Sequence, residues 1–384
     1  MAYDLDTLID RRHSDSEKWR AYGDGVLPMW VADMDFRSPE PVIRALAERV
    51  AHGVFGYGVE PEEMRGILVE RLERLYGWKV APEAILFLPG VVIGFRLACR
   101  AVAGPGDGVL VQTPVYPPIL RAWRDTGLSR REMELTRGPD GHYSIDFDAF
   151  ERAIDPRTRV FILCNPHNPV GRVFRADELQ RMAEICLRHG VTVCSDEIHG
   201  DLIFSGHRHR PIASLAPEIA EHTVTLMAPS KTFNIAGLHF AFAVVPNAEL
   251  RARFLAAQGG LVGRPNILDY TAALAAYREG QPWLDEVLAY LEANRDYMVE
   301  YVRAKLPGVE VGVPEGTYLG WLDCRGAGIA GNPHKFFLER ARVALNDGAE
   351  FGPGGEGFVR LNFGCPRALL AEGLERMRAA LAAL

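Results

Sequence analysis

Between residues 84 and 245 short β-rich runs alternate with stretches of helical periodicity, and this alternation constrains the chain more than any other feature. "AILFL" (84–88) precedes the helix-like "VIGFRLACRAVA", and "GVLVQT" (108–113) follows the turn "GPGD". "RVFILC" (159–164) precedes "NPHNPVGRVF" and the helical "ADELQRMAEICLRHG"; "VTVCS" (191–195), "TVTLM" (223–227) and "FAFAVV" (240–245) come next. Strands separated by helices of this length return by right-handed crossovers, which predicts an α/β fold whose central sheet is mostly parallel, with helices on both faces. From residue 282 the texture changes to a long amphipathic helix, "PWLDEVLAYLEANRDYMVEYVRAKL", then short strands around "EVGVP", "TYLGWLD" and "FVRLNF", and a last helix, "LLAEGLERMRAALAAL". A smaller α+β domain is expected there. The division expected is a large domain over 38–281 and a small one built from 1–37 and 282–384.

A chain of 384 residues fits one large or two moderate domains, and 48% hydrophobic with 24% charged residues is ordinary for a globular protein. The net charge of -7 is mild and the basic residues are scattered, so no stripe points to nucleic acid; a small molecule is the expected partner. The opening "MAYDLDTLIDRRHSDSEKW" alternates charge without an apolar core, and no apolar run nears the ~20 residues of a membrane span. A cytoplasmic location is therefore expected. The six cysteines are irregularly spaced, with no C-x-x-C pair, and read as buried free thiols.

Ligands of open parallel sheets bind at the carboxyl ends of the strands. The polar residues directly after each predicted strand are therefore the candidates. They are "PGVVIG" after 84–88, Tyr116 in "TPVYPP", Asn165 and Asn168 in "NPHNPVG", Asp196, Glu197 and His199 in "SDEIHG", and Ser230 and Lys231 in "APSKTF". Each has a plain reading beside a functional one. Gly90, Val91 and Val92 form either a strand-to-helix turn or, through free N–H groups, a phosphate cradle. Asn168 is a turn residue or an aimed amide; Tyr116 packs, or stacks on a planar ring. Asp196 follows the apolar "VTVC", where an acid is costly unless it caps a helix or meets a donor or cation. His199 could complete a metal pair with Asp196, but no further ligand follows at metal spacing, so no metal is expected. "GHRHR" (206–210) reads as a solvated loop. Lys231 lies between apolar segments, where desolvation lowers an amine's pKa and leaves it a nucleophile. A nucleophilic lysine, an acid, a phosphate cradle and a stacking ring are together what pyridoxal 5′-phosphate requires.

The ordered set "PGVV", "TPVYPP", "NPHNPVGRV", "SDEIHGDL", "APSKTFNIAGL" and "VRLNFGCPR" resembles the fold-type I, aminotransferase class I/II superfamily of pyridoxal-phosphate enzymes. "LPMWVADMDF" and "HGVFGYG" resemble its MalY/PatB-type cystathionine β-lyase branch. The resemblance implies that Lys231 forms the Schiff base, Asp196 pairs with the pyridine nitrogen, Asn168 bonds the ring's phenolic oxygen and Tyr116 stacks on the ring. It also implies that the backbone at Gly90, Val91 and Val92 holds the phosphate together with Ser230. Tyr57 would reach the phosphate of a neighbouring subunit in a homodimer with shared active sites. Arg360 would clamp the substrate carboxylate, with Ala32 and Asp33 at the substrate mouth. Two departures from the wider superfamily stand out. His199 takes the place of a tyrosine that bonds the phenolic oxygen, so that cofactor contact is altered. Position 239 is histidine where many relatives carry a phosphate-binding arginine.

The activity this implies is carbon–sulfur β-elimination from cystathionine or a related cysteine S-conjugate, with transamination by the same residues as the rival. A non-catalytic pyridoxal-phosphate sensor would need a DNA-binding segment, yet only about thirty residues precede "WVADMDF". A metal-dependent hydrolase built on Asp196 and His199 is the remotest alternative.

Overall fold

The computed structural model describes residues 3–124 and 126–384, so Met1 and Ala2 of the charge-alternating opening lie outside the described residues. The central sheet has seven strands: β1 (Ile85–Leu88), β2 (Gly108–Thr113), β3 (Ser129–Glu134), β4 (Thr158–Cys164), β5 (Thr192–Asp196), β6 (Thr223–Met227) and β7 (Ala241–Val244). Their order is β1-β7-β6-β5-β4-β2-β3. All neighbours are parallel except that β7 runs against both β6 and β1. The reversal of "FAFAVV" has a local cause. A parallel return needs a crossover of about a dozen residues or more, usually helical, whereas residues 228–240 form only a four-residue helix and turns before β7 begins.

Side chains on a strand alternate between faces, and here both faces are apolar and covered. Val160, Ile162 and Cys164 of β4 join one core with Phe95 and Ala98 of a helix and Phe254 of another, while Phe161 and Leu163 join a second core with Leu179 and Met182. The covering helices include α1 (Glu40–Ala51), α2 (Met64–Tyr76), α3 (Val91–Val102), α4 (Ala176–Arg188), the short α5 (Pro229–Thr232), α6 (Ala248–Ala257) and α7 (Ile267–Glu279). Strand β3, "SRREME", was not foreseen. It is the edge strand, where natural sheets place charged residues, and its one buried side chain is Met133.

Helix α8 (Gln281–Lys305) leads into an antiparallel four-stranded sheet of β8 (Glu310–Val311), β9 (Leu319–Asp323), β10 (Asn346–Asp347) and β11 (Phe358–Asn362), in the order β8-β9-β11-β10, and α9 (Arg367–Leu381) ends the chain's regular structure. Leu27 and Pro28 of the N-terminal segment pair with Val343 and Ala344 beside this sheet. All six cysteines are buried and free, as their spacing implied.

Candidate active site

Register brings the candidates together. Cys164, Asp196 and Leu226 are opposite one another at the carboxyl ends of β4, β5 and β6, so the residues that follow those strands converge at one edge. Because β7 is reversed, its amino end reaches the same edge and adds Leu238, His239 and Phe240. From the other sheet, β11 turns Arg360 and Asn362 to one face and Val359 and Leu361 to the core. The result is a cleft of about 420 Å³ lined by Ala32, Gly90, Val91, Val92, Tyr116, Asn168, Asp196, His199, Ser230, Lys231 and Arg360, among others. That volume suits a small-molecule site.

Lys231 donates to the carbonyl of Ala32 (2.6 Å) and has no carboxylate partner among the described residues. Burial is the main influence on its amine and pushes the pKa down to about 8. Asp196, 3% exposed, accepts one backbone hydrogen bond, from Ile198 N (3.1 Å), and burial raises its carboxyl pKa to about 7. The two groups are thus moved in opposite directions by one cause, loss of water, and neither is neutralised by a bonded partner. Such opposed shifts in a cleft mark a candidate catalytic site. His199 is buried and held neutral, its pKa lowered to about 3 by burial and by the positive charges of Lys231 and Arg360, and its Nδ1 has no partner among the described residues. Its ring meets that of Tyr318 edge-on at 5.9 Å. Burial, with the nearby Asp196 carboxylate, raises the pKa of the Tyr116 hydroxyl.

Gly90 caps helix α3, whose first intrahelical bond runs from Gly94 N to Gly90 O. The N–H groups of Val91, Val92 and Ile93 are therefore left without intrahelical acceptors, at the positive end of the helix dipole. A Cβ added at Gly90 would meet nothing within 4 Å, so the backbone is open on the cleft side. Asn168 holds the loop after β4 by accepting from Tyr116 N through its carbonyl (3.0 Å), and its side-chain oxygen accepts from Arg360.

Two placements, those of Asp33 and of the loop "GHRHR", differ from the sequence reading. Asp33 is absent from the cleft lining, and its carboxylate is bonded to Arg11 (2.8 Å) and faces Lys18 (3.4 Å). Tyr57 is fully exposed on the surface, outside the cleft of this chain. Within "GHRHR", His207 and Arg208 are solvated, but His209 is buried and meets Glu197 at 3.0 Å. A buried carboxylate attracts a partner from the nearest loop, and Glu197, on the opposite face to Asp196, needs one. Trp321 stacks on Phe358 in the core at 5.0 Å, whereas Tyr318 donates to the carbonyl of Ala32 (2.9 Å) and steadies Lys231's acceptor. Asn234 is another residue missed: its side chain bonds Met34 and Phe36, tying the N-terminal segment to the chain just after Lys231. The motif "SKTFN" contains it, but nothing local to the motif shows a contact 200 residues away.

The residues present fit a group with a carbonyl for an amine, a basic ring nitrogen and a phosphate. Lys231, Asp196 and the open amino end of α3 are the matching partners, and neither the amine nor the carboxyl is held by an opposite charge among the described residues.

A family model described as aminotransferase class I and II matches residues 26–377. Cystathionine beta-lyase PatB of Bacillus subtilis is 44% identical over 98% of this chain and 99% of its own length. The crystal structure of OvoB is 45% identical, covers all of both chains and superposes with a TM-score of 0.95. Cystalysin from Treponema denticola, whose crystal structure contains pyridoxal 5′-phosphate, is 34% identical with the same coverage and a TM-score of 0.95.

Proposed function

Because the chain belongs to the aminotransferase class I and II family, we propose that it is a pyridoxal-phosphate enzyme that cleaves the carbon–sulfur bond of L-cystathionine or a related cysteine S-conjugate, releasing a thiol, pyruvate and ammonia. The observation that carries this reading is the pair Lys231 and Asp196, shifted in opposite directions at the edge of one cleft. The full-length likeness to a cystathionine β-lyase supplies the reaction class.

When bound, the cofactor offers an aldehyde to an amine and an electron-withdrawing ring that takes up the electron pair left at Cα. Lys231 is the amine that would hold it and, released when substrate is bound, would take the proton from Cα. Asp196, brought back to its charged form by a cationic partner, would keep the ring nitrogen protonated. Tyr116 would pack on the ring, Asn168 would bond its oxygen, and His199, a neutral imidazole in the same cleft, would line it. The N–H groups of Val91 and Val92 and the Ser230 hydroxyl would hold the phosphate. Arg360 fixes the substrate carboxylate, so that the Cα proton points at Lys231. With that proton removed, the Cβ–S bond breaks, the sulfur leaves as thiolate and collects a proton, and water converts the departing three-carbon enamine into pyruvate and ammonia.

The deciding experiment adds L-cystathionine to the purified holoenzyme and assays pyruvate and free thiol together. Equal release of both is expected. Loss of the cofactor's visible band, restored by a keto acid and without thiol, would make the protein an aminotransferase instead.

Capture of the cofactor should report the depressed amine directly. Only the neutral amine attacks, so the rate at which cofactor-free protein binds pyridoxal 5′-phosphate should rise with pH and level off above about 8, the pKa of Lys231, rather than continue toward 10.5. Stopped-flow absorbance between pH 6 and 10 would show it.

The active state in this reading is a homodimer. Val54, Phe55, Tyr57 and Val59 form an exposed, largely apolar stretch that a second copy would cover, with Tyr57 reaching the neighbour's phosphate. Sedimentation of the holoenzyme should give the mass of two chains; a monomer that binds cofactor tightly would overturn this. Six free buried thiols suit a reducing compartment, and we place the enzyme in the cytoplasm.

A further inference from the structure

Arg360 is 4% exposed, and no carboxylate lies within ion-pair distance of it among the described residues. A guanidinium has five N–H donors. Here Nη1 donates to Asn168 Oδ1 (2.9 Å), and Nη2 donates to Asn346 Oδ1 (2.6 Å) and to the Trp30 carbonyl (3.1 Å). Nε has no partner. The face of the group lies 5.0 Å from the Phe351 ring. A buried cation is thus oriented at three points by uncharged acceptors, and its charge is left uncompensated.

The placement of Asn346 follows from strand register. Asn346 is directly opposite Arg360 in the antiparallel pair of β10 and β11. The next residue is Asp347, and alternation along the strand turns its carboxylate the other way. That carboxylate accepts from Asn332 Nδ2 (2.7 Å) and from Ala349 N (3.1 Å). In the sequence "ND" the amide therefore meets the guanidinium, and the acid one residue on is spent on a turn. A carboxylate against Nη2 would form an internal ion pair with Arg360 and compete with any incoming anion.

Both hydrogens of Nη2 are in use. A carboxylate that grips a guanidinium with two bonds uses Nη2 in either fork, with Nε or with Nη1, so it must take the place of the Trp30 carbonyl or the Asn346 amide. A neutral acceptor yields to a carboxylate, because the charged hydrogen bond is the stronger of the two. We infer that Asn346 is a positioning residue: it orients Arg360 with an exchangeable, uncharged acceptor and so keeps its charge free for the carboxylate of an amino-acid substrate. This rests on the reading above that Arg360 receives that carboxylate.

The test compares Asn346→Asp, of the same shape but anionic, with Asn346→Leu, of similar size with no acceptor, both as holoenzyme. The readouts are KM and kcat for L-cystathionine cleavage and the Kd of L-alanine, followed by the change it causes in the cofactor's visible band. For Asn346→Asp, KM and Kd should rise at least about tenfold, which corresponds to about 1.4 kcal/mol, and by far more than kcat falls. Asn346→Leu should raise them less, since the charge of Arg360 survives. An Asp variant with wild-type KM and Kd, or a Leu variant affected as much as the Asp variant, would overturn the inference. A fall in kcat with Kd unchanged would do the same. If Asn346→Asp does not fold, a wild-type Kd in Asn346→Leu overturns the inference, and a Kd raised severalfold with kcat nearly kept supports it. A wild-type enzyme that binds L-alanine but cleaves no cysteine S-conjugate would defeat the proposed reaction and leave the Asn346 comparison, read through Kd, intact.

Discussion

Lys231→Ala should lose turnover and the visible absorbance of bound cofactor together. The reason is that Lys231 has no structural occupation: its one hydrogen bond is to the Ala32 carbonyl, and burial presses its pKa down to about 8. Keeping an ammonium there is costly. The change from 10.5 to about 8 corresponds to roughly 3 kcal/mol at about 1.36 kcal/mol per pH unit. The sign follows from proton counting. The folded amine binds its proton less tightly than the unfolded one, so the cost is full below pH 8 and fades as pH rises from 8 toward 10.5. A residue retained for stability would show the opposite effect on removal. Lys231→Met, which fills similar space without charge, should therefore melt no lower than the wild type when both are cofactor-free at pH 7, while its turnover is gone. Calorimetry and an absorbance spectrum on the same preparations check both halves. Turnover surviving in Lys231→Ala would remove the assignment altogether.

Local patterns carried the sequence reading a long way, and long-range pairing limited it. Runs such as "TVTLM" and "GVLVQT" are buried on both faces, so their apolar continuity announced strands, and the polar residue after each one fell at the same edge. Edge strand β3 escaped because four of its six residues are charged, which is how an edge is protected and also how a loop looks. The direction of β7 depended on how residues 228–240 are used, something periodicity does not express. Within the site, Lys231, Asp196, His199, Asn168 and Tyr116 were legible because each lies at the carboxyl end of a strand or within four residues of it. Asn346 was not, since its importance comes only from being opposite Arg360 across a pair of short strands. Asp33 illustrates the converse. Its neighbour Ala32 reaches the cleft through a carbonyl, while the Asp33 side chain turns to Arg11 and Lys18, which are remote from it in the sequence but adjacent in space.

Arg360→Ala should raise KM steeply with a smaller effect on kcat. Losing a buried, charge-assisted contact to a carboxylate costs about 2–5 kcal/mol, on the order of thirtyfold to a few thousandfold at about 1.4 kcal/mol per tenfold. Part of that cost is not the contact itself. Asn168 and Asn346 each give up an oxygen to the guanidinium, and Trp30 gives its carbonyl, so truncation leaves three acceptors without their donor. Arg360→Lys separates the two contributions. An ammonium restores the charge but is a single point rather than a planar fork, so it cannot satisfy three spread acceptors and also grip a carboxylate with two bonds. The expected order of KM is therefore Ala above Lys above wild type, with the Kd of L-alanine following the same order. Lys231, the other cation lining the cleft among the described residues, is already committed to the cofactor. Near-normal KM in Arg360→Ala would thus require a cation from outside this chain, and the second subunit would be the place to look for it.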